Sequence, residues 1–90
     1  MKITKANLDS MTDRINEATG SPKESYTKTA SGYRANPGNY HIEWAYGGCQ
    51  LARMCNEGGG ISNITSGFDT KANLYYQMSA YLNGIREGKS

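Results

Sequence analysis

NPGNYHIEWAYGGCQLARMCNEGGG, residues 36–60, is the stretch whose reading decides the fold. It carries the only Trp, the only His and both Cys of a 90-residue chain. Tyr40, Ile42, Trp44 and Tyr46 alternate with polar residues, the period of a strand with one face buried. Ahead of them, Asn36-Pro37-Gly38-Asn39 suits a type II turn, with Pro fixing φ and Gly supplying positive φ. After them, Gly47-Gly48 suits a two-residue hairpin turn. A hairpin centred there sets Trp44 opposite Leu51 and Ile42 opposite Arg53, and buries Trp44 beneath the helices. Residues 49–55 also read as a short helix, because Leu51, Met54 and Cys55 follow helical spacing and Gly58 can cap it; the strand reading is preferred.

Working outward, Thr4 to Thr19 reads as a helix. Thr4 is an N-cap, Ile3 and Leu8 form a hydrophobic staple, and Gly20 followed by Pro22 ends it. A second helix runs from about Thr70 to Glu87, with Leu74, Met78, Tyr81 and Ile85 at helical spacing. Thr4-Lys5-Ala6-Asn7-Leu8 recurs as Thr70-Lys71-Ala72-Asn73-Leu74, which reads as two helix starts sharing one capping solution. Ser25 to Thr29 and Tyr33 to Ala35 read as strands about an Ala30-Ser31-Gly32 turn, and Ile61 to Ile64 as a further short strand. The expected fold is therefore α+β: one domain over residues 1–90, ordered helix, three- to four-stranded antiparallel sheet, helix, with both helices on one sheet face.

A chain this short buries only around two-thirds of the surface its unfolded form exposes, so its core is thin. Phe occurs once and Tyr seven times, so tyrosines carry much of the burial. A thin core and a sheet with one uncovered face lead us to expect a homo-oligomer. The net charge is +2 with the basic residues scattered, which makes duplex DNA an unfavoured partner. No apolar run is long enough to span a membrane, and the chain opens on no signal peptide, so the expected compartment is the cytoplasm. Cys49 and Cys55 fit no zinc or redox spacing and are expected as reduced thiols.

Asn56-Glu57-Gly58-Gly59-Gly60 is the first candidate site, since consecutive glycines can wrap an anion or admit a ligand closely. It lacks the Lys-Ser/Thr of a phosphate-binding P-loop and the spacing of a dinucleotide fingerprint. Arg53 falls just before it, and guanidinium pairs well with phosphate. Tyr33, Tyr40, Trp44 and Tyr46, with Arg34 and Arg53, can stack bases beside a cation, which serves single-stranded nucleic acid and free nucleotide alike. The candidate ligand-binding residues are Arg53, Glu57, Gly58, Gly59, Gly60, Tyr33 and Arg34. His41 and Glu43 share the opposite strand face and form a candidate partner surface; with no third ligand, no metal is expected there. No nucleophile and base fall into a catalytic pattern, so neither an enzyme nor a cofactor is expected.

Gly38-Asn39-Tyr40-His41-Ile42, Ala45-Tyr46-Gly47-Gly48, Leu51 and Asn56-Glu57-Gly58-Gly59-Gly60 together resemble short open reading frames of tailed phages and prophages. The resemblance runs over most of the chain. It implies provenance, in the cytoplasm of an infected bacterial host, and carries over no catalytic residues. By analogy it implies an accessory binder that neutralises a host factor, including the nucleotide signals of anti-phage defence. The leading expectation is thus a non-enzymatic phage accessory protein that sequesters a small anionic or nucleotide ligand. The alternatives are a protein-interaction module inhibiting a host enzyme and a weak single-stranded nucleic acid binder.

Overall fold

In the computed structural model, which describes residues 2–65 and 67–88, the chain runs α1 (Lys5–Thr19), β1 (Tyr26–Thr29), β2 (Gly32–Ala35), β3 (Tyr40–Ala45), β4 (Gly48–Met54), β5 (Ile61–Asn63) and α2 (Lys71–Gly88). Thr4 caps α1. Its hydroxyl accepts the Asn7 N–H at 3.2 Å, and the Asn7 side-chain oxygen accepts the Thr4 N–H at 2.9 Å. The two residues satisfy each other's orphan donors, as in a capping box. Gly20, in the left-handed region, closes the helix. At α2 the Thr70 hydroxyl again accepts the N–H three residues on, from Asn73 at 3.2 Å. The Thr70 N–H instead donates to the Asp69 carboxylate at 2.7 Å, which also takes the Asn73 amide at 3.0 Å. The repeated pentapeptide therefore builds the same hydroxyl cap twice, and Asp69 replaces the reciprocal half.

β3, β4 and β5 form an antiparallel sheet in that order, while β1 and β2 form a separate antiparallel ribbon. The fold is α+β as expected, but the strands do not make one sheet. Two asparagines explain the split. β2 would have to pair on the outer edge of β3, and at Tyr40 that edge is already closed by the α1 side chain of Asn16. The Asn16 carboxamide accepts the Tyr40 N–H at 2.8 Å and donates to the Tyr40 carbonyl at 3.0 Å. The buried Asn39 meanwhile holds the segment before β1, accepting the Ser25 hydroxyl at 2.8 Å and donating to the carbonyls of Pro22 and Lys23. β1 is thereby steered away from the sheet.

Both helices cover one face of the three-stranded sheet. Tyr40, Cys49 and Leu51 point up from it into Leu8, Met11 and Ile15 of α1 and Leu74, Met78 and Leu82 of α2. α1 lies over β3, α2 over β4, and the helices pack on each other. Residues 49–54 are strand and Cys55 lies just beyond it, which settles the helix–strand ambiguity. The turn, however, sits one residue earlier than the glycine pair suggests. Tyr46 (φ 52°) and Gly47 (φ 71°) are its central residues, the paired positive φ of a type I′ turn. Trp44 therefore faces Cys49, Ile42 faces Leu51 and Tyr40 faces Arg53.

Trp44 is not beneath the helices: it is 44% exposed. It stands on the helix-covered face but at the far end of an edge strand, where the helices are only starting and little lies above it. Alternation identified its face correctly. It carries no information about how far a helix reaches along that face. Among the described residues, no helix is long and apolar enough to cross a membrane.

Candidate functional site

The β1–β2 ribbon packs chiefly on itself, and most of its residues are exposed. Thr27 pairs with Arg34 and Lys28 with Tyr33, so Tyr26, Lys28 and Tyr33 share one face while Thr27 and Arg34 share the other. Both faces are open: Tyr33 is 73% exposed, and Tyr26, Lys28 and Arg34 are exposed as well. A lone two-stranded ribbon is marginal in water, so its base needs fastening. Asn36 supplies it, accepting the Thr27 hydroxyl at 2.8 Å and donating to the Glu24 carbonyl at 2.9 Å, while its own N–H donates to the Ser25 carbonyl. No carboxylate occurs from Ser25 through Ile42, so the ribbon carries Lys28 and Arg34 without a counter-charge of its own. Among the described residues, neither cation forms an ion pair.

The glycine loop lies against this base. The Ala35 N–H donates to the Glu57 carbonyl at 3.2 Å, and a side chain grown on Gly59 would reach the Tyr26 hydroxyl at 3.8 Å. Tyr33, Arg34 and Glu57 to Gly60 are thus brought onto one continuous region, although they are far apart in sequence. What the loop does differs from the anion cradle expected of it. The Gly59 N–H donates to the Asn56 carbonyl and the Gly60 N–H to the Asn56 side chain at 3.0 Å, while the Cys55 N–H donates to the Gly60 carbonyl at 2.7 Å. Those amides are spent inside the loop. Its glycines have geometric causes: Gly59 has φ +92°, and a Cβ on Gly60 would lie 2.5 Å from the Asn56 amide nitrogen. An anion here would find the Gly59 and Gly60 amides already engaged and would lean on the surrounding cations.

Arg53 is the best-positioned of those cations. It leaves β4 on the helix-covered face, opposite Tyr40, where its guanidinium lies over the Tyr40 ring at 5.2 Å and its Nε donates to the Gly38 carbonyl at 3.4 Å. Stacking on an aromatic face holds the planar fork in one orientation before any ligand arrives. Its outer edge borders an open recess of about 440 Å³ lined by Pro37, Gly38, Arg53, Met54 and Cys55. Tyr40 is itself anchored by a 2.6 Å hydrogen bond to the Tyr81 hydroxyl. Burial, reinforced by that bond, pushes the Tyr40 phenol up to about 12, so it is a neutral platform for Arg53.

The stacking set read from the sequence does not stay together. Tyr40 is buried under Arg53, and Trp44 and Tyr46 stand at the other end of β3, where Tyr46 is 94% exposed beside Phe68. Tyr26 was missed as a candidate. The available signal was its place opposite Ala35, on the same ribbon face as Tyr33.

His41 and Glu43 do lie on the sheet face away from the helices, half-buried, with His41 Nε2 at 3.5 Å from the Glu43 carboxylate. Gln50 joins them, donating to Asn63 at 3.1 Å and to Glu43 at 3.5 Å. His41 Nδ1 and Gln50 Oε1 are buried and find no hydrogen-bond partner among the described residues. Among the described residues, no three His, Cys, Asp or Glu side chains gather where a metal could sit. Cys49 is buried in the core, where burial raises its thiol pKa, whereas Cys55 is exposed at the recess.

Comparison with protein-family models, with curated proteins and with solved structures finds no match for this chain.

Proposed function

We propose that this chain is a non-enzymatic binding module whose working surface is the β1–β2 ribbon with Arg53 and the flank of the glycine loop, and whose ligand is single-stranded nucleic acid. The observation that carries the reading is the ribbon itself. It exposes Tyr26 and Tyr33 beside Lys28 on one face and Arg34 on the other, and no carboxylate lies within it. Base stacking on aromatic side chains next to cations is how strands are held without sequence preference. The ribbon spans only four residues a strand, roughly 13 Å at 3.3 Å per residue, which suits a few unstacked nucleotides. The resemblance to small phage proteins fits an accessory binder.

A free nucleotide, the ligand foremost in the sequence, is the second reading, and the pre-oriented Arg53 favours it. Small-molecule sites ordinarily bury most of their ligand in a concave pocket. The recess at Arg53 is open and five residues wide in lining, which supports an extended chain over a mononucleotide.

Fluorescence anisotropy with a labelled oligothymidylate tests this. With Lys28, Arg34 and Arg53 as the phosphate contacts, the logarithm of the affinity should fall with the logarithm of salt at a slope of about −2. Tyr33→Ala should weaken binding about 5- to 150-fold, the loss of one stacked base. Saturation by a mononucleotide with no gain from a longer strand would favour the second reading. No binding to either would refute both.

A further inference from the structure

The outer edge of β3 is a second, independent feature. The Met54 N–H donates to the Asn39 carbonyl at 2.8 Å, which fixes the phase of the β3–β4 ladder. The Asn39 carbonyl and the backbone groups of His41, Glu43 and Ala45 turn toward β4, so Tyr40, Ile42 and Trp44 turn theirs outward. Asn16 takes both outward groups of Tyr40. Among the described residues, the N–H and C=O of Ile42 and of Trp44 have no partner. From Tyr40 to Ala45 the strand has no Pro or Lys, two of the devices by which proteins ordinarily stop strand addition, and its one charged residue is Glu43. An open groove of about 330 Å³ runs beside it, walled by Asp9, Thr12 and Asp13 of α1.

We propose that a second copy of this chain occupies that edge, pairing its β3 antiparallel to the first across a two-fold axis at Glu43. The register follows from which groups are free. An antiparallel partner must offer outward-facing groups to outward-facing groups, and pairing Ile42 with the second copy's Trp44, and the reverse, satisfies every free group on both copies. The two ends of the match are set by the chain: Asn16 closes the ladder at Tyr40, and the left-handed Tyr46 ends the strand. An axis at Ile42 would leave Trp44 facing a Tyr40 already engaged by Asn16. An axis at Trp44 would set Ile42 against Tyr46, where the strand has turned away. The chosen register also stacks Ile42, half-buried in one copy, against the exposed Trp44 of the other, an aromatic–β-branched pair of the kind that stabilises sheets. It brings the two Glu43 carboxylates together on the opposite face, each with its own His41 at 3.5 Å. The product is a continuous six-stranded sheet with isologous pairing.

Sedimentation velocity on the full chain, from micromolar to near-millimolar concentration, tests this. The expected species at the upper end has about twice the 9.8 kDa chain mass. Trp44→Lys, which puts a cation on the exposed edge, should shift the chain to monomer with its circular dichroism unchanged. Glu43→Gln should tighten the dimer several-fold by removing the like-charge contact on the axis; weakening would overturn this register. Amide hydrogen exchange provides a readout that does not depend on the variants folding. Ile42 and Trp44 amides should exchange freely at high dilution and become protected as concentration rises, while the Tyr40 amide is protected throughout. A monomer at every concentration, or a dimer in which Ile42 and Trp44 amides stay unprotected, would overturn the proposal.

Discussion

Removing the Asn16 carboxamide should destabilise the chain strongly. Asn16 is 2% exposed, and its side chain holds both the N–H and the C=O of Tyr40 at 2.8 and 3.0 Å. Tyr40 is itself buried and sits at the start of the edge strand, so neither group regains a protein partner when the amide is cut away. Each orphaned buried group costs about 1–3 kcal/mol. Asn16→Ala should therefore cost about 2–5 kcal/mol, allowing for some water entry at the groove. Against a total of roughly 5–15 kcal/mol for a domain, that is a large fraction. Asn16→Asp should also destabilise, because a carboxylate can still accept the N–H but repels the Tyr40 carbonyl. Urea unfolding followed by circular dichroism measures both, and the slope with denaturant should be unchanged if only native contacts are lost. A cost below about 1 kcal/mol for Asn16→Ala would refute the reasoning, since a net-neutral hydrogen-bond pair would then be indicated.

Three further outcomes follow from the same geometry. Tyr40 is held neutral to about 12 in the folded chain, above the ordinary tyrosine value near 10; its contribution is complete below that ordinary value and is lost as pH rises between the two, because the unfolded chain ionises first. The midpoint of urea unfolding should therefore fall more steeply in alkali for the wild type than for Tyr40→Phe. Asp69 is held below its ordinary value by the Asn73 amide and the Thr70 N–H, so its contribution is present above that value and is lost as pH falls through the depressed one; Asp69→Asn should flatten the acid limb of stability. Trp44→Ala, at dilutions where the chain is monomeric, should cost only about 1–2 kcal/mol, well short of the roughly 3–5 kcal/mol of a buried aromatic, and native Trp emission should be readily quenched by acrylamide.

Periodicity made the helices legible, and alternation made β3 legible down to the face each residue presents. The type II turn at Pro37-Gly38 and the two Thr caps were equally readable, because each rests on local backbone chemistry. What the pattern hid is the work of asparagine. Asn16, Asn36, Asn39 and Asn56 look like turn and surface residues, yet their carboxamides close the edge of β3, fasten the ribbon, separate the two sheets and shape the glycine loop. Those bonds span up to 24 positions, beyond any local window. Trp44 was misplaced for a related reason: alternation gives a side chain its face, while exposure depends on how far the helices extend above it. For the candidate site, the sequence named Tyr33, Arg34, Arg53 and the glycines as one set without showing what joins them. The Ala35–Glu57 hydrogen bond that gathers most of them is a contact between the end of β2 and the glycine loop.

The most direct test of the nucleic acid reading is a residue-resolved map of contact: backbone amide shifts of the labelled full chain on titration with a short oligothymidylate. Saturable shifts should concentrate on residues 26–35, on Arg53 and on residues 57–60, leaving the amides of α2 undisturbed. Shifts absent at saturating strand, or confined to the Tyr46 end of the sheet, would contradict it.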